Sequence, residues 1–272
     1  MKNLVTYLLL LLLTATAASA QQSGVQPAFR DGEVLTLKVS YRAKLIPNTE
    51  VATVVMSVAD TTINDRPYYC IYANARTMPS WRWFYNLDDT YRSYIDTTTF
   101  RPILATSQIR ENGYRAWTRF EYDWGNGVSV NTKQRKQDPP TEHRIPIKGE
   151  SYDGVSLFYD LRTIDPATLV EDEERTLALL LNDTVRYINY RYLGRESKRV
   201  RNVGTFRTLK FSCQLATSTG ESFEDGSEFF IWISDDRNKI PIFFESPIRV
   251  GSVRAYISKF EGLRFPIESL ED

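Results

Sequence analysis

The sequence predicts a mainly β protein: a large curved antiparallel sheet, an open or half β-barrel, with one short helix near 153–164. Three observations predict it. Apolar and polar residues alternate with period two in many short runs. Turn residues separate these runs roughly every eight to twelve positions. Aromatics, which suit pleated and half-buried surfaces, make up 13% of the chain.

The first segment, Met1–Ala20, reads as a cleavable secretory signal. Lys2 opens it, Leu8–Leu13 is unbroken, and Ala18-Ser19-Ala20 is a small-x-small cleavage site. The apolar run is too short to span a bilayer. No Cys follows the cleavage site, which argues against a lipoprotein signal. The mature chain is then expected to begin at Gln21 in the periplasm, with an extracellular destination as the alternative. Such a compartment is oxidising and poor in ATP, which excludes most nucleotide-driven and cytosolic redox chemistry. Gln21–Ala28 is polar and is expected to be a disordered leader. Residues 29–272 are expected to form a single β-rich domain, large enough to bury a sizeable core.

Within that domain, Leu35, Leu37, Val39 and Tyr41 alternate with Thr36, Lys38, Ser40 and Arg42, predicting a half-buried strand over Val34–Arg42. Pro47-Asn48 is the expected turn into Val51–Val58. Tyr68–Ala75, Asp89–Ile95, Leu104–Arg110, Ala116–Tyr122 and Val128–Lys133 continue the pattern, punctuated by Asn64-Asp65, Asn112-Gly113 and Gly125-Asn126-Gly127. Lys136–Glu142, with Pro139-Pro140, reads as a loop and a candidate seam between two β halves. Asp153 is the expected N-cap of the helix, Leu157, Leu161 and Ile164 share a face with Phe158 beside it, and Pro166 ends it. Strands resume at Arg175–Leu181, Val185–Leu193, Thr205–Leu215, Glu228–Ser234, Ile240–Glu245 and Val253–Phe260. Asn182-Asp183 and Asp235–Asn238 are the tight turns among them.

Charge is balanced at 34 Lys+Arg against 34 Asp+Glu. No basic field favours nucleic acid, and no second segment reaches transmembrane length. Two cysteines, Cys70 and Cys213, sit in strand-like runs. An even count in an exported protein permits one disulfide between them; two separate buried thiols are the other reading.

Catalytic patterns find little support. The single His, His143, lies in a polar segment and reads as an exposed loop residue. No Gly-x-Ser-x-Gly elbow accompanies any Ser, so a Ser-His-Asp triad has no frame. One His and two distant Cys match no zinc spacing. Asp235-Asp236-Arg237-Asn238 lacks the calcium-loop spacing and reads as a turn. Glu221, Glu224, Asp225 and Glu228 read as a solvated acidic loop. No phosphate loop is present, and no cofactor is implied. Carboxylates are too plentiful for any pair to identify a glycosidase.

One segment is sharper. Met78-Pro79-Ser80-Trp81-Arg82-Trp83-Phe84-Tyr85 packs four aromatics and a Met into eight residues. It reads either as a strand or short helix closing the core, or as an aromatic lip at the mouth of an apolar cavity. Met78, Trp81, Trp83, Phe84 and Tyr85 are accordingly the candidate ligand-binding residues, since flat rings and Met suit acyl chains or sugars. Tyr187, Tyr190 and Tyr192 either line the same concavity or pair across strands.

Several segments, in order, resemble the exported bacterial family called Domain of Unknown Function 3108. They are Phe29-Arg30-Asp31-Gly32-Glu33-Val34-Leu35, then Asp89–Asp96 with Arg101-Pro102, then Asp153-x-x-Ser156-x-x-Tyr159-x-x-Arg162. Gly204-Thr205-Phe206, Ile231–Asp236 with Ile240-Pro241, and Gly251-Ser252-Val253 complete the set. The resemblance implies a distant likeness to half-barrels of the lipoprotein-localisation type, which wrap a curved sheet around an apolar cavity closed by helices. It implies no catalytic residue. Gly32 and Gly204 suit turns of unusual φ, Arg162 suits a salt bridge to a strand carboxylate or a cap on carbonyls, and Trp232 suits a place in the sheet.

These readings converge on an exported, non-enzymatic envelope protein that binds an apolar or amphipathic, lipid-like component in a concave sheet. The alternatives are a protein–protein module of the envelope that uses a sheet edge or the Trp81–Tyr85 patch, and, more weakly, a glycan-acting enzyme.

Overall fold

The computed structural model describes residues 26–43, 46–147, 151–181, 184–216, 228–247 and 252–271. The signal segment, the Asn182-Asp183 turn, Gly251, and Glu221, Glu224 and Asp225 of the acidic stretch lie outside the described residues.

Among the described residues sixteen strands form one sheet. They are β1 (Val34–Ala43), β2 (Ile46–Ile63), β3 (Arg66–Thr77), β4 (Asp88–Asp96), β5 (Pro102–Glu111), β6 (Tyr114–Asp123), β7 (Val128–Arg135) and β8 (Thr141–Pro146) in the first half. After β9 (Ser151–Tyr152) and the helix α1 (Gly154–Leu161) come β10 (Glu174–Leu181), β11 (Thr184–Val200), β12 (Gly204–Ala216), β13 (Glu228–Ser234), β14 (Pro241–Pro247), β15 (Ser252–Glu261) and β16 (Leu270–Glu271). The spatial order is β8-β7-β6-β5-β4-β3-β2-β1-β15-β14-β13-β12-β11-β10-β9, with β16 on β12. Each strand expected from the alternation is present.

The hairpins follow from turn chemistry. Asn64 and Asp65 both have positive φ, as do Asn112 and Gly113. That is the backbone of the two-residue turn whose twist matches paired strands. Gly32, at φ +80, and Gly204, at φ +148, take the conformations expected of them, and a Cβ on Gly204 would meet Leu270 Cδ1 at 2.5 Å.

Several expectations are corrected. Positions 47–48 belong to β2, with Ala43 opposite Ile46, so they are strand rather than turn; residues 44–45 lie outside the described residues. The sheet is not purely antiparallel: β9 pairs with β10 in parallel. Residues 136–140 form a β7–β8 turn rather than a seam; the sheet path breaks between β8 and β9 instead. His143 sits on the edge strand β8, exposed, not in a loop. That edge carries Glu142, His143, Arg144 and Pro146, which blunt it against pairing with another chain. Ala28, expected in the disordered leader, is buried and its carbonyl accepts from Arg162; residues 21–25 lie outside the described residues. The helix ends at Leu161, not near 164, with Arg162 as its C-cap.

The disulfide is overturned as well. Both thiols are free. Cys213 shares the concave face with Phe211 and Tyr190, whereas Cys70 alternates with the core residues Ile71 and Ala73 and so faces outward on β3. The sheet itself stands between them.

The concave face holds the core. Leu35, Ile71, Ile95, Ile242 and Ile257 pack around Phe29 and α1, while Leu177, Tyr192, Leu209, Phe211 and Ile233 pack against Leu157. A third cluster joins Ile145 in β8 and Ile147 just after it to Leu180 on β10 and to Phe120 and Tyr122 on β6. The two margins of the sheet therefore meet through side chains, without a ladder of hydrogen bonds. On the convex face Trp232 lies in β13 under Lys198, whose Nζ is 3.5 Å from the ring centre.

One end of the barrel is sealed. There the N-terminal segment, the end of α1 and the C-terminal tail converge. Arg162 donates to Glu33 through Nη1 (2.5 Å) and Nη2 (2.8 Å) and to the Asn238 carbonyl through Nε (3.1 Å). Its guanidinium also lies against the rings of Phe29 and Tyr159. Asn238 donates to the carbonyls of Phe265 and Pro266, and Ser269 Oγ donates to Asp236.

Candidate functional site

The helix is placed by its first residue. Asp153 Oδ1 accepts from Val155 N and Ser156 N, and Ser156 Oγ accepts from Asp153 N, a reciprocal capping box. Ser93 Oγ on β4 donates to Asp153 Oδ2 at 2.8 Å, so the cap also pins the helix to the sheet. With its start held by Asp153 and its end by Arg162, α1 lies along the concave face.

Two apolar cavities flank it, with Gly154 and Phe158 lining both. The larger, about 580 Å³, lies between α1 and β2–β7, bounded by Val54, Met56, Ala73, Ile109, Ala116 and Phe120. Leu179 and Leu180 close its far wall. The smaller, about 150 Å³, lies between α1 and β10–β13, bounded by Leu177, Ile188, Tyr190, Phe211, Cys213 and Ile231. The larger falls within the 300–1,000 Å³ range of small-molecule sites.

The larger cavity exists because inward positions of three strands are small. Ala73 on β3, Ala105 and Ser107 on β5, and Ala116 and Thr118 on β6 all line it. On β1, β14 and β15 the inward residues Leu35, Ile242 and Ile257 fill the space instead. Polar groups are few: Lys133, Asp153 and the hydroxyl-bearing residues Thr106, Ser107, Tyr91, Tyr114 and Thr118. Burial, reinforced by the Asp89 carboxylate, pushes the Tyr91 phenol well above its ordinary pKa. Burial likewise holds Tyr122 up, with Asp153 adding to it. The Cys213 thiol is pushed up to about 12 by burial and, secondarily, by Glu228. Of these, the Tyr91 phenol lines the larger cavity and the Cys213 thiol the smaller, and both stay neutral near neutrality.

Among the described residues Asp153 is the only carboxylate lining either cavity, and it is engaged in the cap. Among the described residues no three His, Cys, Asp or Glu come together as a metal cluster. Likewise, no described helix is long and apolar enough to cross a membrane.

Of the residues singled out in the sequence, none of Met78, Trp81, Trp83, Phe84 and Tyr85 lines either cavity. The segment is neither a strand nor a lid on the core. It is a short 3-10 turn at Pro79–Trp81 joining β3 to β4, with Met78 and Trp81 half-buried. Trp83 is 80% and Phe84 71% exposed. The reason is Pro79: it starts a tight turn, so Trp81 and Trp83 never adopt the extended alternation that would aim both inward. Tyr190 does line the smaller cavity and Tyr192 packs beside it, but Tyr187 alternates with Ile188 to the other face. The lining residues of β5 and β6 escaped notice as a site because their strands read as ordinary alternation. The usable signal was the size of the inward residues, not their polarity.

A family model described as "Protein of unknown function (DUF3108)" matches residues 36–258. No curated protein matches the chain. Among solved structures, it is similar to the crystal structure of a beta-barrel-like protein of Domain of Unknown Function DUF1849 from Brucella abortus, at 10% identity and a TM-score of 0.53. That likeness covers 88% of this chain and 98% of the other. At this identity the likeness concerns the fold alone, and the fold is barrel-like in both.

Proposed function

The chain belongs to the DUF3108 family, and from the two apolar cavities beside α1 we propose that it is an exported, non-enzymatic protein of the cell envelope that binds a lipid-like ligand. The observation that carries this reading is the larger cavity, about 580 Å³, walled by small aliphatic side chains under a helix pinned at both ends. An acyl chain entering it exchanges water for carbon. Each buried methylene contributes about 0.8 kcal/mol, so about ten supply roughly 8 kcal/mol before the costs of association are subtracted. The leucine-rich first segment supports export to the periplasm.

The test is native mass spectrometry of the mature protein, purified gently from its own envelope, beside lipid extraction of the same sample. The expected result is a stoichiometric adduct of lipid mass. A clean apo mass that added lipid does not shift overturns the reading.

A further inference from the structure

We propose that the β3–β4 turn and the tip of the β5–β6 hairpin form a docking surface for an anionic lipid bilayer, placed beside the mouth of the larger cavity. Six large hydrophobic residues are exposed among the described residues, and four of them, Trp83, Phe84, Tyr85 and Tyr114, lie on these two neighbouring loops. Solvent-facing Trp and Phe on one turn form a patch that water disfavours and a headgroup layer accepts.

The loops are bound to one another. Tyr85 Oη donates to Glu111 Oε2 at 2.9 Å, Asn86 N to Asn112 Oδ1 at 2.8 Å, and Asn112 N to the Asn86 carbonyl at 2.9 Å. Trp83 Nε1 donates to the Ser80 carbonyl within the turn. The aromatics are thus held outward, so little side-chain order has to be gained on docking.

Charge selects the partner. A polar recess of about 310 Å³ between the loops is lined by Arg76, Arg82, Arg110 and Arg115, against one acid, Asp88. Asp88 pairs with Arg76, and Glu111 at the hairpin tip accepts from Tyr85. Beside it a second recess is lined by Arg110, Arg115 and Lys136 with no acid. Exposed aromatics flanked by cations match the interface of a membrane bearing anionic headgroups.

Tyr114 connects this surface to the cavity, because it lines both the arginine recess and the 580 Å³ cavity. A bilayer held against the two loops would lie next to the cavity's open rim, where an acyl chain could pass between them. The position of the cavity gives the docking its purpose and so leans on the ligand reading above; the affinity for a bilayer does not.

The experiment is flotation of the mature protein with phosphatidylglycerol–phosphatidylcholine vesicles and with phosphatidylcholine vesicles alone. Binding is expected to the anionic vesicles and to weaken with salt. Trp83→Ser/Phe84→Ser is expected to weaken it about tenfold or more, and Arg110→Gln/Arg115→Gln about fivefold per arginine on anionic vesicles. Both pairs are exposed, and an unchanged urea midpoint verifies each fold. Absence of binding, equal binding to both vesicle types, or full binding by the Trp83/Phe84 variant overturns the proposal. So does a stoichiometric protein partner lost from that variant while vesicles are ignored. The lipid adduct in native mass spectra is read in parallel. Adduct without flotation defeats the docking surface alone, and flotation without adduct defeats the cavity reading alone.

Discussion

Glu33 and Arg162, 129 positions apart in the chain, meet in a two-pronged ion pair whose side chains expose no surface to solvent. The pair joins the start of the first strand to the end of the only α-helix described. Glu33 lines neither apolar cavity, so the pair acts on the fold rather than on the cavity walls. Removing either partner leaves an uncompensated buried charge. Arg162→Ala or Glu33→Ala is expected to cost about 3–5 kcal/mol in urea unfolding, whereas Arg162→Met with Glu33→Leu recovers part of that loss, the Ala28 and Asn238 carbonyls still lacking their donor.

Filling the larger cavity separates binding from folding. Ala116 is half-buried on β6 and lines the cavity. Ala116→Trp is expected to abolish the lipid adduct and to cost at most about 1–3 kcal/mol of stability, the usual range for added core volume. Adduct at full occupancy in this variant would place the ligand elsewhere.

The thiols report the two faces of the sheet. Cys213 is 4% exposed at the wall of the smaller cavity, and its thiol is shifted up to about 12. Cys70 is half-buried on the convex side. At pH 8 a thiol reagent is expected to modify Cys70 first and Cys213 only on unfolding. Non-reducing electrophoresis is expected to show no internal bridge.

Alkaline pH should loosen the fold through its buried phenols. Tyr91, Tyr122 and Tyr159 are all raised, burial being the main cause in each. In the unfolded chain they ionise near pH 10. Above that, the folded state binds more protons than the unfolded one. The stabilisation is fully present below about pH 10 and falls beyond it, by about 1.4 kcal/mol per pH unit for each phenol. Urea midpoints measured from pH 8 to pH 11 check this; a flat profile above pH 10 contradicts it.

The fold was legible because alternation is a local signal. Val34–Arg42, Leu104–Arg110 and Ala116–Tyr122 each announce a strand within a few residues, and Asp153 with Ser156 announces a helix start. What connects distant segments was not. Arg162 was readable as a residue that caps carbonyls or pairs with an acid, and it does both, but nothing near it names Glu33 as the partner. β8 was missed because Thr141–Pro146 is an edge strand whose exposed, charged residues carry no alternation. The aromatic run at Trp81–Tyr85 drew attention by composition, yet large rings were not what shaped the cavity. Small residues at inward positions shaped it, and small residues are inconspicuous in a sequence.

The unzipped margin between β8 and β9 leaves the girth of the barrel unfixed by backbone bonds at that point. In a fully laddered barrel, strand number and stagger fix the radius, and widening it breaks backbone bonds. Here the circle is completed by the contact of Ile145 and Ile147 with Leu180. Parting that contact would break no ladder between paired strands. Leu180 also lines the larger cavity, so the joint that sets the circumference is part of the chamber it encloses. For the ligand proposed above, the width of its chamber would be set by side-chain packing at one joint, as the bore of a split ring is set by its gap.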